Sequence, residues 1–137
     1  MRLTRVELRD YLHGRFPASK SIRDAAQAVV EALTAGGIAT ADKSILRFGY
    51  RDILRASFAF ILHSKFPPDM YDFAKITDNL SVRSMLWDPD KVIPCLYELR
   101  NCCIISKISE IDTVRQFTVR YDLAEMIGTL AREKQPA

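Results

Sequence analysis

Residues 95–122 read CLYELRNCCIISKISEIDTVRQFTVRYD, and the apolar spacing changes halfway along this stretch. In its first part Leu96, Leu99 and Cys103 recur at three and four residues, which is the spacing of one helix face. In its second part apolar and polar residues alternate, and the alternation reverses at Asp112, as in two strands joined by a tight turn. The stretch therefore predicts a helix that leads directly into an antiparallel hairpin.

The start of this helix is marked by Asp88-Pro89. Aspartate is a favourable N-cap residue, and proline is favourable at the first helical position. Val92 then extends the apolar stripe toward the N-terminus. Pro94 lies inside the helix, where it removes a backbone donor, so we expect irregular geometry near the beginning.

The N-terminal third shows a similar order of elements. Thr4 and Glu7 form a capping-box pattern that predicts a helix over residues 4–13, and a second amphipathic helix follows over residues 21–33. Gly36-Gly37 ends that helix. The segments IAT and SILRF, on either side of a short polar turn, then predict a small hairpin.

The middle of the chain begins with its most apolar helix, predicted over residues 51–66 and ended by Pro67-Pro68. One or two short helices are expected over residues 70–87, and a last helix over residues 122–134. The first part of the chain thus reads helix, turn, helix, hairpin, and the second part reads helix, helix, helix, hairpin. We expect an N-terminal unit over residues 1–50 and a C-terminal unit over residues 51–137, packed as one compact body.

Two segments carry a resemblance to a known superfamily. They read SIRDAAQAVVEALTAGGIAT (residues 21–40) and DKVIPCLYELRNCCIISKIS (residues 90–109). Both resemble the third helix and first wing strand of winged helix-turn-helix proteins. The resemblance implies a mainly α fold with small β-hairpin wings (α+β), and the repeated order allows two tandem units. The chain departs from the pattern in two places: no helix is evident before residue 4, and Pro94 interrupts the second unit.

Charge is distributed unevenly between the two units. Residues 1–50 contain eight lysines and arginines against five acids, a net charge of +3, whereas residues 51–137 contain twelve of each sign. A basic surface attracts anionic partners such as nucleic acid. The first unit is therefore the better candidate for an anionic partner.

Candidate DNA-binding residues occur in both units. Arg2, Arg5 and Arg9 are spaced to lie on one side of the first helix, and Lys20 and Arg23 lie at the start of the second, where backbone N–H groups also favour phosphate. In the second unit the basic side chains are interspersed with acids that would repel phosphate. The full set is Arg2, Arg5, Arg9, Arg15, Lys20, Arg23, Lys91, Arg100, Asn101, Lys107, Arg115 and Arg120.

Two functions remain open from the sequence. The first is double-stranded DNA binding by the N-terminal unit, as a bacterial-type regulator or as the DNA-engaging subunit of a larger complex, with the second unit pairing with another copy or a protein partner. The second is a non-enzymatic scaffold whose winged helices contact only proteins. We expect a cytoplasmic protein with no membrane contact, because no stretch approaches the ~18 apolar residues of a membrane span and the N-terminus lacks a signal-peptide pattern.

The sequence contains no recognisable catalytic motif, so we expect no enzymatic activity and no cofactor. Three cysteines and two histidines are not spaced as metal ligands, and no metal is expected. The aromatic residues are expected in the core rather than on a base-stacking surface. These are Phe58, Phe60, Phe66, Tyr71, Phe73 and Trp87. His63, late in the apolar helix, is predicted to lie at the boundary of the core.

Overall fold

The computed structural model describes residues 1–133 as an α+β protein with seven helices and six strands. The strands form two antiparallel sheets of three strands each. The chain divides into two compact units, residues 1–49 and the residues from 50 onward, one residue from the predicted boundary. Within the described part of the chain, no helix has the length and apolar character needed to cross a membrane.

The first unit consists of a strand, two helices and a hairpin. Its elements are β1 (Arg2–Thr4), α1 (Arg5–Arg15), α2 (Ile22–Ala35), β2 (Ala39–Asp42) and β3 (Ile45–Phe48). β3 lies between β1 and β2 and is antiparallel to both. The sequence pattern does not predict β1, because three residues are too few to show the alternation of a strand.

The predicted capping box at the start of α1 is confirmed. The Thr4 hydroxyl accepts a hydrogen bond from the Glu7 backbone N–H at 3.1 Å, and the Glu7 carboxylate accepts one from the Thr4 backbone N–H at 2.7 Å. Hydrogen bonds from the backbone and hydroxyl of Thr4 lower the pKa of Glu7 below its usual value. α1 continues through Gly14 to Arg15, two residues beyond its predicted end.

The predicted end of α2 at the glycine pair is also confirmed. The helix ends at Ala35, and the backbone N–H of Gly36 donates to the Ala32 carbonyl. Gly37 has a φ of 68°, in the left-handed region that glycine adopts without steric cost. The chain can therefore turn at once into β2.

The core of the first unit is small. Leu8 of α1, Ala26 and Val30 of α2, and Leu46 of β3 form its buried centre. Half-buried apolar side chains surround this centre. They are Leu3, Leu12, Val29 and Phe48. The two helices therefore pack against one face of the sheet through few fully buried side chains. The opposite face of the sheet carries exposed side chains.

In the part that the structure describes, to residue 133, the second unit contains five helices and the other three strands. Its elements are α3 (Arg55–Lys65), β4 (Asp69–Asp72), α4 (Ala74–Thr77), α5 (Leu80–Ser84), α6 (Pro89–Asn101), β5 (Ile105–Ile111), β6 (Val114–Val119) and α7 (Leu123–Glu133). β6 lies between β4 and β5. The helix predicted over residues 51–66 begins four residues later. β4 corrects the prediction of helices alone after the proline pair, and Lys134 of the last predicted helix lies outside the described residues.

α6 begins where Asp88-Pro89 predicts, and the Asp88 carboxylate accepts a hydrogen bond from the Asp90 backbone N–H at 3.1 Å. The helix is uninterrupted from Pro89 to Asn101, so the prediction of irregular geometry at Pro94 was wrong. Proline at position 94 removes only the backbone hydrogen bond from residue 94 to the Asp90 carbonyl. Asp90 lies in the exposed first turn, so water can donate a hydrogen bond to its carbonyl instead.

The buried stripe of α6 differs from the prediction at one position. Val92, Leu96 and Leu99 are buried as predicted, but Cys103 is exposed and Cys95 takes the inner position. Cys103 lies beyond the helix end with a φ of 60°, and this left-handed turn directs its side chain to solvent. Cys95 belongs to the stripe because it lies three residues after Val92 and four before Leu99.

The hairpin of β5 and β6 is confirmed, with its turn at Asp112-Thr113. Phe117 of β6 is fully buried, and its ring centroid lies 5.6–6.4 Å from those of Phe66, Tyr71 and Phe73. The aromatic cluster joins β4 and β6 to the end of α3. The sheet therefore forms one wall of the core of the second unit.

Two residues of α3 have the opposite burial to that predicted. Phe60, expected in the core, is 48% exposed, whereas His63, expected at the core boundary, is only 4% exposed. Phe58, Ala59 and Leu62 are fully buried. α3 is apolar on most of its surface, so the sequence pattern does not identify which side faces inward.

The two units share one order of elements. In each, a strand is followed by helical structure and a hairpin, and the second hairpin strand lies in the centre of the sheet. The second unit adds α3 before the strand and α7 after the hairpin, and these two helices pack together. The predicted order of helices followed by a hairpin is present in both units, but the strand that precedes it in each unit, β1 or β4, was not predicted.

Candidate nucleic-acid interface

A groove of about 370 Å³ lies between α1 and α2 in the first unit. Arg5 and Arg9 of α1 line one side, and Arg23 of α2 lines the other. The structure therefore brings together three of the predicted DNA-binding residues from two helices. The groove has an apolar floor and a mixed polar rim. The other lining residues are Leu8, Asp24, Ala26, Gln27 and Val30.

Arg5 is held in place by hydrogen bonds within the unit. Its Nε donates to the Lys43 carbonyl at 2.9 Å, and its Nη1 donates to Gln27 Oε1 at 2.9 Å. Gln27 is itself oriented by a 3.0 Å hydrogen bond from its Nε2 to Glu31 Oε1. Arg5 thus joins α1, α2 and the hairpin turn, so its guanidinium is a fixed cation with a structural role.

Arg9 and Arg23 are the exposed cations of the groove. Within residues 1–133 neither guanidinium takes part in an ion pair or a side-chain hydrogen bond, so both are available to an anionic partner. Arg23 lies in the first turn of α2, where unpaired backbone N–H groups add a partial positive charge. Asp24 lies on the same rim and reduces the positive potential there.

Arg2 lies in β1 and not on the first helix, which corrects its predicted position. In the sheet it is paired directly with Arg47 of β3, and both side chains are exposed. Like charges directly opposite each other on neighbouring strands repel. Arg47 was missing from the predicted set, although the alternation Ile45-Leu46-Arg47-Phe48 places its side chain opposite the buried Leu46.

The two remaining basic candidates of the first unit lie outside the groove. Arg15 is the last residue of α1, and Lys20 lies in the segment that connects α1 to α2; both are exposed. The six predicted cations of the first unit are therefore divided among three places. Arg5, Arg9 and Arg23 line the groove and form the groove set, Arg2 pairs with Arg47 in the sheet, and Arg15 and Lys20 lie apart from both. The groove set is the largest cluster.

The candidates of the second unit are all exposed, and several interact within the unit. Lys91 lies 3.4 Å from the Asp52 carboxylate. The guanidinium of Arg100 lies 4.8 Å from the ring centroid of Tyr97, and that of Arg120 lies 5.2 Å from the ring of Tyr121. These cations are thus less available to phosphate than Arg9 and Arg23.

Tyr97 of α6 lies within the electrostatic influence of the hairpin. The Glu110 carboxylate of β5 raises the pKa of Tyr97, while the charges of Arg100 and Arg115 oppose this change. Glu110 and Arg115 are paired directly across the hairpin. Asn101 and Lys107 complete the predicted set on this surface, where Glu98 also lies exposed. The surface is therefore mixed in charge and not basic.

The three cysteines are free thiols: Cys95 is buried, Cys102 half-buried and Cys103 exposed. Burial, together with the charge of Glu98, raises the pKa of Cys95 to about 11. Cys102 Sγ accepts a hydrogen bond from Arg55 Nη1 at 3.0 Å. Across residues 1–133, no three His, Cys, Asp or Glu side chains are grouped so that they could hold a metal ion.

The cysteines are expected to differ in reactivity. At about pH 8, a thiol reagent should label Cys95 about 100-fold more slowly than an ordinary exposed thiol, because a thiol with a raised pKa contains little thiolate. Labelling followed by mass spectrometry gives the rate at each position. Cys103→Ser should remove a fast reaction, whereas Cys95→Ser should leave every fast reaction unchanged. Equal rates at all three positions would contradict the burial of Cys95.

Comparison of the chain with models of protein families, with curated proteins and with solved structures gives no match.

Proposed function

We propose that the first unit binds double-stranded DNA and that both units are winged helix-turn-helix domains. The shared order of strand, helical segment and hairpin supports this assignment, as does the central position of the second hairpin strand in each sheet. In this arrangement α2 and α6 correspond to the helices that precede the wings. The chain would act as a transcriptional regulator or as the DNA-engaging subunit of a larger complex.

The observation that carries DNA binding is the groove between α1 and α2. Arg9 and Arg23 extend from different helices into the same groove, and neither has an acidic partner within residues 1–133, while Arg5 is held beside them. DNA affinity depends mainly on the neutralisation of phosphates by lysine and arginine. A cluster of exposed arginines in the unit with all the net positive charge meets that requirement.

The second unit would contribute protein contacts. Its lysines and arginines are balanced by acids, and Glu98, Glu110 and Asp112 lie among the cations of α6 and the hairpin. Acidic side chains at this surface would repel phosphate. This balance also favours the alternative function, a scaffold in which both units contact only proteins.

The test is a fluorescence-anisotropy titration of the full chain with random-sequence duplex DNA at two salt concentrations. Arg9→Ala combined with Arg23→Ala is expected to lower affinity about tenfold and to reduce the slope of log K against log salt by up to about two, because each lost phosphate contact removes roughly one counterion from the slope. Arg5→Ala is a poor probe, since it would also remove hydrogen bonds that join the elements of the unit.

The matched control is Lys75→Ala combined with Arg83→Ala, which removes two exposed positive charges from α4 and α5 of the second unit. This variant should retain both the affinity and the salt slope. Equal losses in the two variants would indicate a non-specific effect of net charge and would contradict the groove as the binding site. No binding by the wild-type chain at low salt would favour the scaffold.

A further inference from the structure

An apolar groove runs along the outer side of α3 in the second unit. It consists of two adjoining cavities of about 380 and 360 Å³, which share Ser57 and Met85 in their walls. Phe60 lies at one end and is 48% exposed, and Leu54 lies at the other end and is 68% exposed. No Lys, Arg, Asp or Glu occurs between residues 55 and 65. The wall that α3 contributes to the groove is therefore uncharged, and the charged lining residues, Arg51 and Asp52, lie at the end of the groove before α3.

The exposure of this surface is unusual for such a helix. Phe58, Ala59 and Leu62 of α3 are fully buried in the core of the second unit, yet the opposite side presents Phe60 and the half-buried Ile61. A helix that is apolar on all sides is normally covered on all sides. Exposed apolar grooves on soluble domains often mark interaction surfaces.

We propose that α3 of a second copy of this chain covers the groove, packed antiparallel about a two-fold axis near residues 58 and 59. Such an axis places each Phe60 opposite Ser57 of the other copy, because positions equally far before and after the axis face each other. Ala56 and Ser57 are small and line the same cavity as Phe60, so they leave room for the incoming ring. The surface thus complements itself.

The charges at the two ends of the groove support the same arrangement. Asp52 lines the end of the groove before α3, and Lys65 is the last residue of α3 at the other end. An antiparallel pair brings each Lys65 close to Asp52 of the other copy. The Asp52 side chain is 92% exposed and forms one exposed contact with Lys91, so it can accept a second cation. A parallel pair would instead place the two Lys65 side chains together. A helix from an unrelated protein would not require this complementarity between the two ends of one groove.

Sedimentation equilibrium of the full chain without DNA measures the pairing directly and does not depend on the proposed DNA binding. The wild-type chain should show a reversible monomer–dimer equilibrium. Phe60→Ser is expected to raise the dimer Kd about tenfold or more, because truncation of a central aromatic anchor has effects of this size. Val114→Ser, at a hairpin position exposed to 50%, is the matched control and should leave the Kd unchanged. Phe60 is on the surface, so circular dichroism should show a folded variant.

A charge reversal tests the antiparallel alignment. Asp52→Lys and Lys65→Asp should each raise the Kd about threefold, as expected for exposed ion pairs, and the double variant should restore it. A chain that stays monomeric at the highest concentration would overturn the proposal and leave the groove to a different protein. A dimer that is insensitive to Phe60→Ser, or a double variant that is no tighter than the single variants, would overturn it as well.

Discussion

Replacing Leu99 with aspartate is expected to unfold the second unit. Leu99 is fully buried on the inner face of α6, within the same core as Leu96 and Phe117. An aspartate there would bury a carboxyl group without a partner, which costs at least about 4 kcal/mol. A small domain has only about 5–15 kcal/mol of stability in total. NMR spectra of the full chain should therefore lose the dispersed amide signals of the second unit.

Two control variants distinguish the effect of burying a charge from the effects of changing Leu99 and of introducing an aspartate. Leu99→Met keeps the side chain apolar and nearly the same size, so the loss should be below about 1.5 kcal/mol. Leu80→Asp introduces the same charge at a position that is 79% exposed, and stability should change by no more than about 0.5 kcal/mol. A folded Leu99→Asp variant with a Tm near that of the wild type would show that the inner stripe of α6 is wrongly placed.

The sequence predicts best those elements whose signals lie within a few residues of each other. The capping box of Thr4 and Glu7, the glycine pair after α2, and Asp88-Pro89 before α6 all act on the backbone next to them. The two hairpins are equally local, since each joins neighbouring strands by a short turn. All of these predictions are confirmed by the structure.

The missed strands depend on partners that are distant in sequence. β4 has only four residues and pairs with β6, which begins more than forty residues later. β1 likewise pairs with β3 across the whole of α1 and α2. Neither strand shows enough alternation to be recognised alone. Their existence follows from tertiary packing, which completes each sheet with a third strand.

The burial of individual residues was predicted less well than the elements that contain them. In α3 both sides are apolar, so periodicity gives no preference between Phe60 and His63 for the core. At Cys103 a continuous helical spacing predicts burial, but the helix ends two residues earlier and the chain turns. Both errors occur at positions where the local spacing of apolar residues predicts one degree of burial and the tertiary contacts produce another.

The candidate site was predicted in part. The sequence indicates that basic residues near the N-terminus could share a surface, but only the fold shows that Arg9 and Arg23 line one groove while Arg2 belongs to the sheet with Arg47. Which residues of two helices come into contact depends on the angle and the point at which the helices cross, and the sequence does not specify either. The clustering of cations is therefore a result of the structure.

Acidification is expected to destabilise the second unit through His63, which is 4% exposed. Its Nδ1 donates a hydrogen bond to the Ala59 carbonyl at 2.7 Å, whereas Nε2 is buried and has no hydrogen-bond partner within residues 1–133. Burial lowers the pKa of His63, although the backbone groups of Ala59 and Ile104 oppose this shift. Protonation would place a positive charge and an unpaired donor in an apolar core.

The direction of the pH effect follows from the lowered pKa. As the pH falls, the unfolded chain binds a proton at its ordinary histidine pKa of about 6.5, before the folded chain does. The free energy of unfolding is therefore highest above about pH 6.5 and decreases between this value and the lower folded pKa, with a slope of up to about 1.4 kcal/mol per pH unit. Urea unfolding at several pH values between about 5 and 8 measures this slope.

His63→Gln removes the buried titrating ring, and the stability of this variant should depend little on pH across the same window. The chain has two histidines, and the other, His13, is exposed on α1. His13→Gln is the matched control, because it makes the same substitution at an exposed position and leaves the buried ring of His63 in place; this variant should retain the wild-type slope. Parallel pH profiles for the wild type and His63→Gln would show that the buried imidazole is not linked to folding.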